Sequence, residues 1–281
     1  MRIWQIRGRG LSLDGPLVMG IVNVTPDSFS DGGRFFSAER AIGHAERLIA
    51  DGADILDIGG ESTRPGSSLV PVNEEIERVV SVIKSIADRF EIPISVDTTK
   101  SEVARAAAVA GAHIINDISG LRFDEGVAAI AAEFGAGLVL MHSRGDFETM
   151  HSQKPVNDII AEVSHDFVRA LSIASRHKVS QDQIVLDVGI GFGKTQQQNL
   201  ELLAKLGKLK DEFSVHPFLI GASRKSFLGK ILDGSEPEKR LPGSLAAAAV
   251  AVWNGAEIIR VHDVEETVRS LRVVKGIKDQ L

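Results

Sequence analysis

Cysteine is absent from the 281-residue chain. Its absence excludes disulfides, thiolate zinc sites, iron–sulfur clusters and thiol nucleophiles, and fits a reducing compartment. Long apolar runs are also missing. The longest, Leu245 to Trp253, falls far short of the roughly 20 residues a membrane helix needs. The N-terminal segment carries Arg2, Arg7 and Arg9 but no apolar core of a signal peptide, so a cytoplasmic protein is expected. Nor is there an excess of positive charge. A net charge of −6 argues against nucleic acid or an anionic membrane as the main partner. No low-complexity run, proline-rich linker or long charge block divides the chain, so a single domain over residues 1–281 is expected.

What is present is a rhythm. Short runs rich in Val, Ile and Leu (Leu17–Val22, Ile55–Ile58, Ile92–Val96, His113–Ile115, Gly137–Met141, Ile184–Leu186, Pro217–Ile220 and Glu257–Val261) alternate with longer amphipathic segments. Continuous apolar runs of this length read as parallel strands buried on both faces. Between them, Ile76, Val79, Val80, Ile83 and Ala87 share one helical face. Asn73 reads as a helix N-cap, and Thr99 to Glu102 and Asp263 to Glu266 as capping boxes. Helix, glycine, alanine and strand follow one another at Gly52, Gly111 and Gly255, where the glycine reads as a left-handed cap. Eight strand-then-helix units predict a (β/α)8 TIM barrel. A doubly wound open sheet is the alternative. Arg2 to Ile6 alternates and Asp14-Gly15-Pro16 is a turn, which predicts a short N-terminal hairpin over the barrel bottom.

The polar residues fall where the strands end: Asn23, Asp57, Asp97, Asn116–Asp117, His142, Asp187, Ser223-Arg224-Lys225 and Arg260-Val-His262. In a barrel these ends ring one opening, the C-terminal face where barrel enzymes carry their sites. Buried carboxylates cost several kcal/mol unless paired, so several in a row point to function rather than packing. Asp117 and Asp263 also read as plain turn or cap residues. The long polar loops from Asn23 to Gly33 and from Gly59 to Gly66 read as ligand-binding lids.

Three motifs are decoys. Gly193-Lys194-Thr195 resembles the end of a phosphate loop, but the required first glycine is replaced by Val188. Gly189-Ile-Gly191-Phe-Gly193 has the wrong spacing for a dinucleotide fingerprint and reads instead as a tight rim loop whose backbone approaches a flat ligand. No His-Glu-x-x-His pair is present, which argues against a zinc hydrolase. His44, His165 and His177 fall on helices and read as surface residues.

These segments together resemble the dihydropteroate synthase family of pterin-binding enzymes. The resemblance is carried by the loop opening with Asn23-Val-Thr-Pro-Asp-Ser-Phe, Asp57-Ile-Gly-Gly-Glu-Ser-Thr-Arg-Pro-Gly66, Ser95-Val-Asp97-Thr, Ile115-Asn116-Asp-Ile-Ser-Gly120, Leu186-Asp187-Val-Gly-Ile-Gly-Phe-Gly193-Lys, Gly221-Ala-Ser-Arg-Lys-Ser226 and Arg260-Val-His262. The resemblance implies condensation of 6-hydroxymethyl-7,8-dihydropterin diphosphate with 4-aminobenzoate in folate biosynthesis. It implies Asp97, Asn116, Met141, Asp187, Phe192 and Lys225 around the pterin, with Arg260 and His262 toward the diphosphate. Thr63, Arg64, Pro65 and Ser226 join Phe192 and Lys225 near the aminobenzoate, under a lid bearing Thr25, Asp27 and Phe29. Asn23 becomes an Mg²⁺ ligand. Asp97, Asp187, Lys225, Arg260 and His262 are the expected catalytic residues, and a homodimer is implied. Three other readings compete. A methyltetrahydrofolate-dependent methyltransferase would need neither Thr63-Arg64-Pro65 nor the Arg260/His262 pair. A class I aldolase would use Lys225 as a Schiff base. A non-catalytic paralogue would keep the fold alone.

Overall fold

A computed structural model of the chain describes residues 2–24, 34–62, 67–150 and 152–280. Strands β1 (Ile3–Ile6) and β2 (Arg9–Ser12) pair antiparallel. The units that follow are β3 (Leu17–Asn23) and α1 (Arg34–Ala50), β4 (Ile55–Gly59) and α2 (Val72–Ala87), β5 (Ile94–Asp97) and α3 (Ser101–Ala110), and β6 (Ile114–Asp117) and α4 (Gly126–Phe134). Then come β7 (Gly137–Met141) and α5 (Ile159–Arg176), β8 (Ile184–Asp187) with α6 (Gln196–Ala204) and α7 (Leu206–Glu212), β9 (Phe218–Ile220) with α8 (Ser226–Ile231) and α9 (Leu241–Trp253), and β10 (Ile258–Val261) with α10 (Val264–Lys278). Parallel pairing runs from β3 through β9, and β10 pairs with both β9 and β3. The sheet therefore closes, and the open-sheet alternative falls. No helix among the described residues is long and apolar enough to cross a membrane.

Alternation along each strand sorts its side chains into two sets. One set packs outward against the helices, as Leu56, Ile58, Val96, Ile115, Leu138, Leu140, Leu186 and Ile220 do. The other fills the barrel. Its lower part is apolar, with Met19, Ile55, Ile114, Val139, Val185, Leu219 and Ile258 forming one buried cluster with Trp4 and Ile6. The hairpin is thus a plug. Trp4 and Ile6 are fully buried, and Trp4 Nε1 donates to the Gln183 carbonyl at 2.8 Å. Gly137 leaves room for it, since a Cβ there would lie 2.6 Å from Ile6 Cγ2 and 2.9 Å from the Trp4 ring.

The helix-strand joints are as expected, with Gly52, Gly111 and Gly255 at φ 98°, 120° and 105°. The expected helix starts are not. Helix α2 begins after Pro71, which puts Asn73 inside the first turn. Helix α3 begins at Ser101 without a side-chain cap of its own, and the Ser101 N–H is taken by Asp124 at 2.8 Å. Asp263 stands at the N-cap position of α10 as expected, but its carboxylate makes no cap bond because it is held by Arg224. In the last two cases a partner from a neighbouring loop displaces the local bond that the spacing suggested. His44 is half-buried, 3.2 Å from the Ile21 carbonyl, and burial lowers its pKa, so it is not a plain surface residue.

Candidate active site

Strand alternation decides which strand-end residues face the mouth. Register places Asn23 beside Gly59, Gly59 beside Asp97, Asp97 beside Asn116, and Met141 beside Asp187. Counting in twos up from the apolar layer gives Asn23, Asp57, Asp97, Asn116, Met141, Asp187 and Arg260 on the inner wall. Asp117 and His142 have the opposite parity. Asp117 accepts from the Ser119 N–H and hydroxyl and the Leu121 N–H, each at 2.7 Å, and so shapes the loop after β6. His142 is buried, and burial beside Lys194 keeps its pKa well below the usual value.

The guanidinium of Arg260 crosses the mouth. Its Nε donates to Asp57 Oδ2 at 2.6 Å and an Nη to Asp97 Oδ2 at 2.7 Å. Asn116 Nδ2 also donates to Asp57 Oδ2, at 3.3 Å. Burial pushes the Asp97 carboxyl up to about 7, with Asp57, Glu75 and Asp117 adding repulsion against the attraction of Arg260. Beside this triad, Asp57 Oδ1, Asn116 Oδ1 and Ser95 Oγ are buried without a hydrogen-bond partner among the described residues. Such atoms on an inner wall suit the polar edge of a ligand.

A second group forms across from the triad. Asp187 Oδ1 accepts from the Gly189 N–H at 2.8 Å. Burial raises the Asp187 pKa, while Lys225, that N–H and Lys194 pull it back. Lys225 donates to the Ile190 carbonyl, and its ammonium lies 4.6 Å from the centroid of the Phe192 ring. Burial lowers the Lys225 pKa to about 8, with Asp187 opposing and Arg260 reinforcing. Lys225 follows Arg224, whose φ of 57° turns the chain sharply there. That turn is held by the Arg224–Asp263 pair and by Arg240, which donates to the Arg224 carbonyl at 2.8 Å. Ser226 is exposed at the start of α8. His262 Nδ1 lies 3.1 Å from the Ser223 hydroxyl.

Asp97, Asn116, Met141, Asp187, Phe192, Lys225, Ser226, Arg260, His262 and Asn23 therefore come from strand ends and loops of one barrel face. Arg260 differs from expectation in being bonded to two carboxylates rather than set aside for an anion. Thr25, Asp27, Phe29, Thr63, Arg64 and Pro65 lie outside the described residues. Asp57 and Lys194 enter the site without having been assigned a role. For Asp57 the signal was parity, since it sits two residues from both Ile55 and Gly59.

Fold and mouth together describe a barrel enzyme whose rim gathers charged groups of both signs around buried polar atoms that have no partner among the described residues. Residues 19–262 match the family model described as "Pterin binding enzyme". The chain is 48% identical to the dihydropteroate synthase of Escherichia coli (strain K12), over 96% of this chain and 94% of that one. It is 44% identical to that of Bacillus subtilis (strain 168), over 93% and 88%. Among solved structures, Xanthomonas albilineans dihydropteroate synthase with 4-aminobenzoic acid superposes with a TM-score of 0.91 at 44% identity, covering 98% of each chain. Yersinia pestis dihydropteroate synthase with a sulfonamide drug gives 0.92 at 42% identity, covering 99% of each. The chain belongs to the pterin-binding enzyme family and, within it, to the dihydropteroate synthases.

Proposed function

We infer that this chain joins 6-hydroxymethyl-7,8-dihydropterin diphosphate to 4-aminobenzoate, giving 7,8-dihydropteroate and pyrophosphate. The observation that carries the residue assignments is the convergence of Asp57, Asp97, Asn116, Asp187, Lys225 and Arg260 on one barrel mouth. The exocyclic amine and adjacent ring N–H of a pterin match a carboxylate, and Asp187 supplies one already oriented by the Gly189 N–H. Asp97 accepts from a further ring N–H. Asn116 donates and accepts, its Oδ1 having no partner among the described residues. Lys225 donates to the opposite edge, and Met141 and Phe192 supply apolar surface for the ring faces.

Arg260 and His262 serve the diphosphate. For Arg260 this means exchanging part of its bonding to Asp57 and Asp97 for phosphate oxygen. The diphosphate leaves with the electrons of the methylene C–O bond, and the positive charge spreads into the pterin ring, where Asp97 and Asp187 stabilise it. The aromatic amine then forms the new C–N bond and loses a proton. Ser226, Lys225 and Phe192, with Thr63, Arg64 and Pro65, receive the aminobenzoate. Thr25, Asp27 and Phe29 belong to this reading as the residues that keep water from the reacting atoms.

Mg²⁺ belongs to the same reading. Among the described residues no group of three or more His, Cys, Asp or Glu side chains is placed to hold a metal. Mg²⁺ at a diphosphate does not need one, because phosphate and water supply most of its oxygen shell. Asn23 offers a hard neutral oxygen at the end of β3. A Cβ on Gly59 would lie 3.9 Å from both Asn23 Oδ1 and Asp97 Oδ2, which puts these two oxygens on the same stretch of rim. Asn23 would hold the ion against the substrate's diphosphate, where its charge lowers the cost of pyrophosphate departure.

The chain works as one domain over residues 1–281, in the cytoplasm and as a homodimer. Helix α9 supports the dimer, with Val250 46% and Trp253 49% exposed on its outer face, and sedimentation velocity tests it. The function is tested by pyrophosphate release. Turnover requires both substrates and Mg²⁺, and release that ignores 4-aminobenzoate overturns the reading.

A further inference from the structure

The Gly193-Lys194-Thr195 triplet, rejected as a phosphate loop, has a different use. Lys194 Nζ donates to three backbone carbonyls: Gly189 at 2.7 Å, Phe192 at 3.0 Å and His142 at 3.2 Å. Three acceptors match an ammonium, which has three N–H bonds. Two of these carbonyls belong to the rim loop after β8, and the third follows the end of β7. The loop turns them inward because Gly189, Gly191 and Gly193 adopt φ of 66°, 87° and 69°. A Cβ on Gly189 would sit 1.9 Å from the His142 oxygen, so the approach that lets one ammonium reach both segments requires glycine.

The same loop carries two parts of the ring site. The Gly189 N–H orients Asp187, while the Gly189 carbonyl is held by Lys194. Phe192 presents its ring beneath Lys225, while its carbonyl is held by Lys194. The loop has other bonds beside these, one of them to the same acceptor, where the Phe192 N–H donates to the Gly189 carbonyl at 3.1 Å. Ile190 O accepts from Lys225, Gly191 N–H donates to Asn199 at 2.7 Å, and Gly193 O accepts from Arg144 at 3.0 Å. Burial pushes the Lys194 pKa well below the usual lysine range, with Asp187 opposing and Lys225 and Arg144 reinforcing, and the three carbonyls hold the group in place.

We propose that Lys194 is a positioning residue for pterin binding, a buried amine whose carbonyl cage fixes the 189–193 loop and, through it, the Asp187 carboxylate and the Phe192 ring. The proposal rests on the pterin reading above and adds to it a residue that does not touch the ring.

Calorimetry with 6-hydroxymethylpterin tests it, using the wild-type chain, Lys194→Ala and Lys194→Gln. Losing these three bonds weakens pterin binding about tenfold in Lys194→Ala. Methylammonium chloride restores binding and equal sodium chloride does not. In turnover, KM for the pterin diphosphate rises by about the same factor while kcat stays within about twofold. A loosened fold would instead lower kcat and Tm together. Lys194→Gln, which retains two N–H donors without the charge, carries the test if the alanine variant does not fold. Pterin affinity equal to wild type in either folded variant overturns the role of Lys194 and leaves the functional reading intact. A wild-type chain that binds no pterin overturns both.

Discussion

The two ends of the barrel are built from the same strands and differ in almost every physical respect. At the lower end Met19, Ile55, Ile114, Val139, Val185, Leu219 and Ile258 pack under Trp4 and Ile6, and the Trp4 N–H is satisfied by Gln183. Two residues further along four of these strands, the inner wall becomes Asp57, Asn116, Asp187 and Arg260. There burial raises the pKa of Asp97 and Asp187, and several buried oxygens have no partner among the described residues. One end is optimised for burial. The other retains polar groups whose burial costs stability, which is expected where those groups meet a ligand.

That contrast can be broken at either end. The largest effect is expected at the base. Trp4→Ala removes a fully buried indole and lowers stability by about 3–5 kcal/mol in denaturant titration, while the folded fraction keeps its pterin affinity. Lost affinity in the folded fraction would mean that the two ends are not separable. At the mouth, Asp187→Asn replaces one acceptor oxygen with a donor and weakens pterin binding by about 100-fold in calorimetry, with little change in Tm. Unchanged affinity removes Asp187 from the site. Arg260→Ala weakens binding of the pterin diphosphate by about tenfold or more, relative to its effect on the unphosphorylated pterin. Equal losses take Arg260 away from the phosphates.

The smallest effect is a pH dependence. Asp97 has its carboxyl raised from 3.8 to about 7 in the folded chain, so between these values the native state binds more protons than the unfolded one. Stability contributed by this group therefore falls as pH rises through that window. Pterin binding to the ionised form strengthens as pH passes about 7 and releases a proton, seen as a buffer-dependent binding enthalpy. Asp97→Asn flattens both trends. A proton release that persists in that variant assigns it to another group.

The same contrast explains how much the sequence revealed. The strands were legible because both-face burial leaves a continuous apolar run, and Gly137–Met141 was bounded to the residue. The mouth was legible because Asp97, Asn116, Asp187 and Arg260 interrupt those runs at equivalent places. The hairpin could be read from the alternation of Arg2 to Ile6. What could not be read depends on partners distant in the chain. Asn73 and Thr99 had the right composition for caps. Yet the Ser101 N–H found Asp124, some twenty residues away, and no local pattern encodes that bond. Asp57 stood among the strand ends, but its engagement with Arg260 joins β4 to β10 across the barrel. Lys194 was hidden by its likeness to a phosphate loop, because a cage of backbone carbonyls leaves no side-chain signature.

The sealed base has a kinetic corollary. A cup with its floor plugged by an indole has a single door, so every molecule leaves by the route it took in. Reactants and products thus share the upper opening, because Trp4, Ile6 and the apolar layer they cover close the lower one.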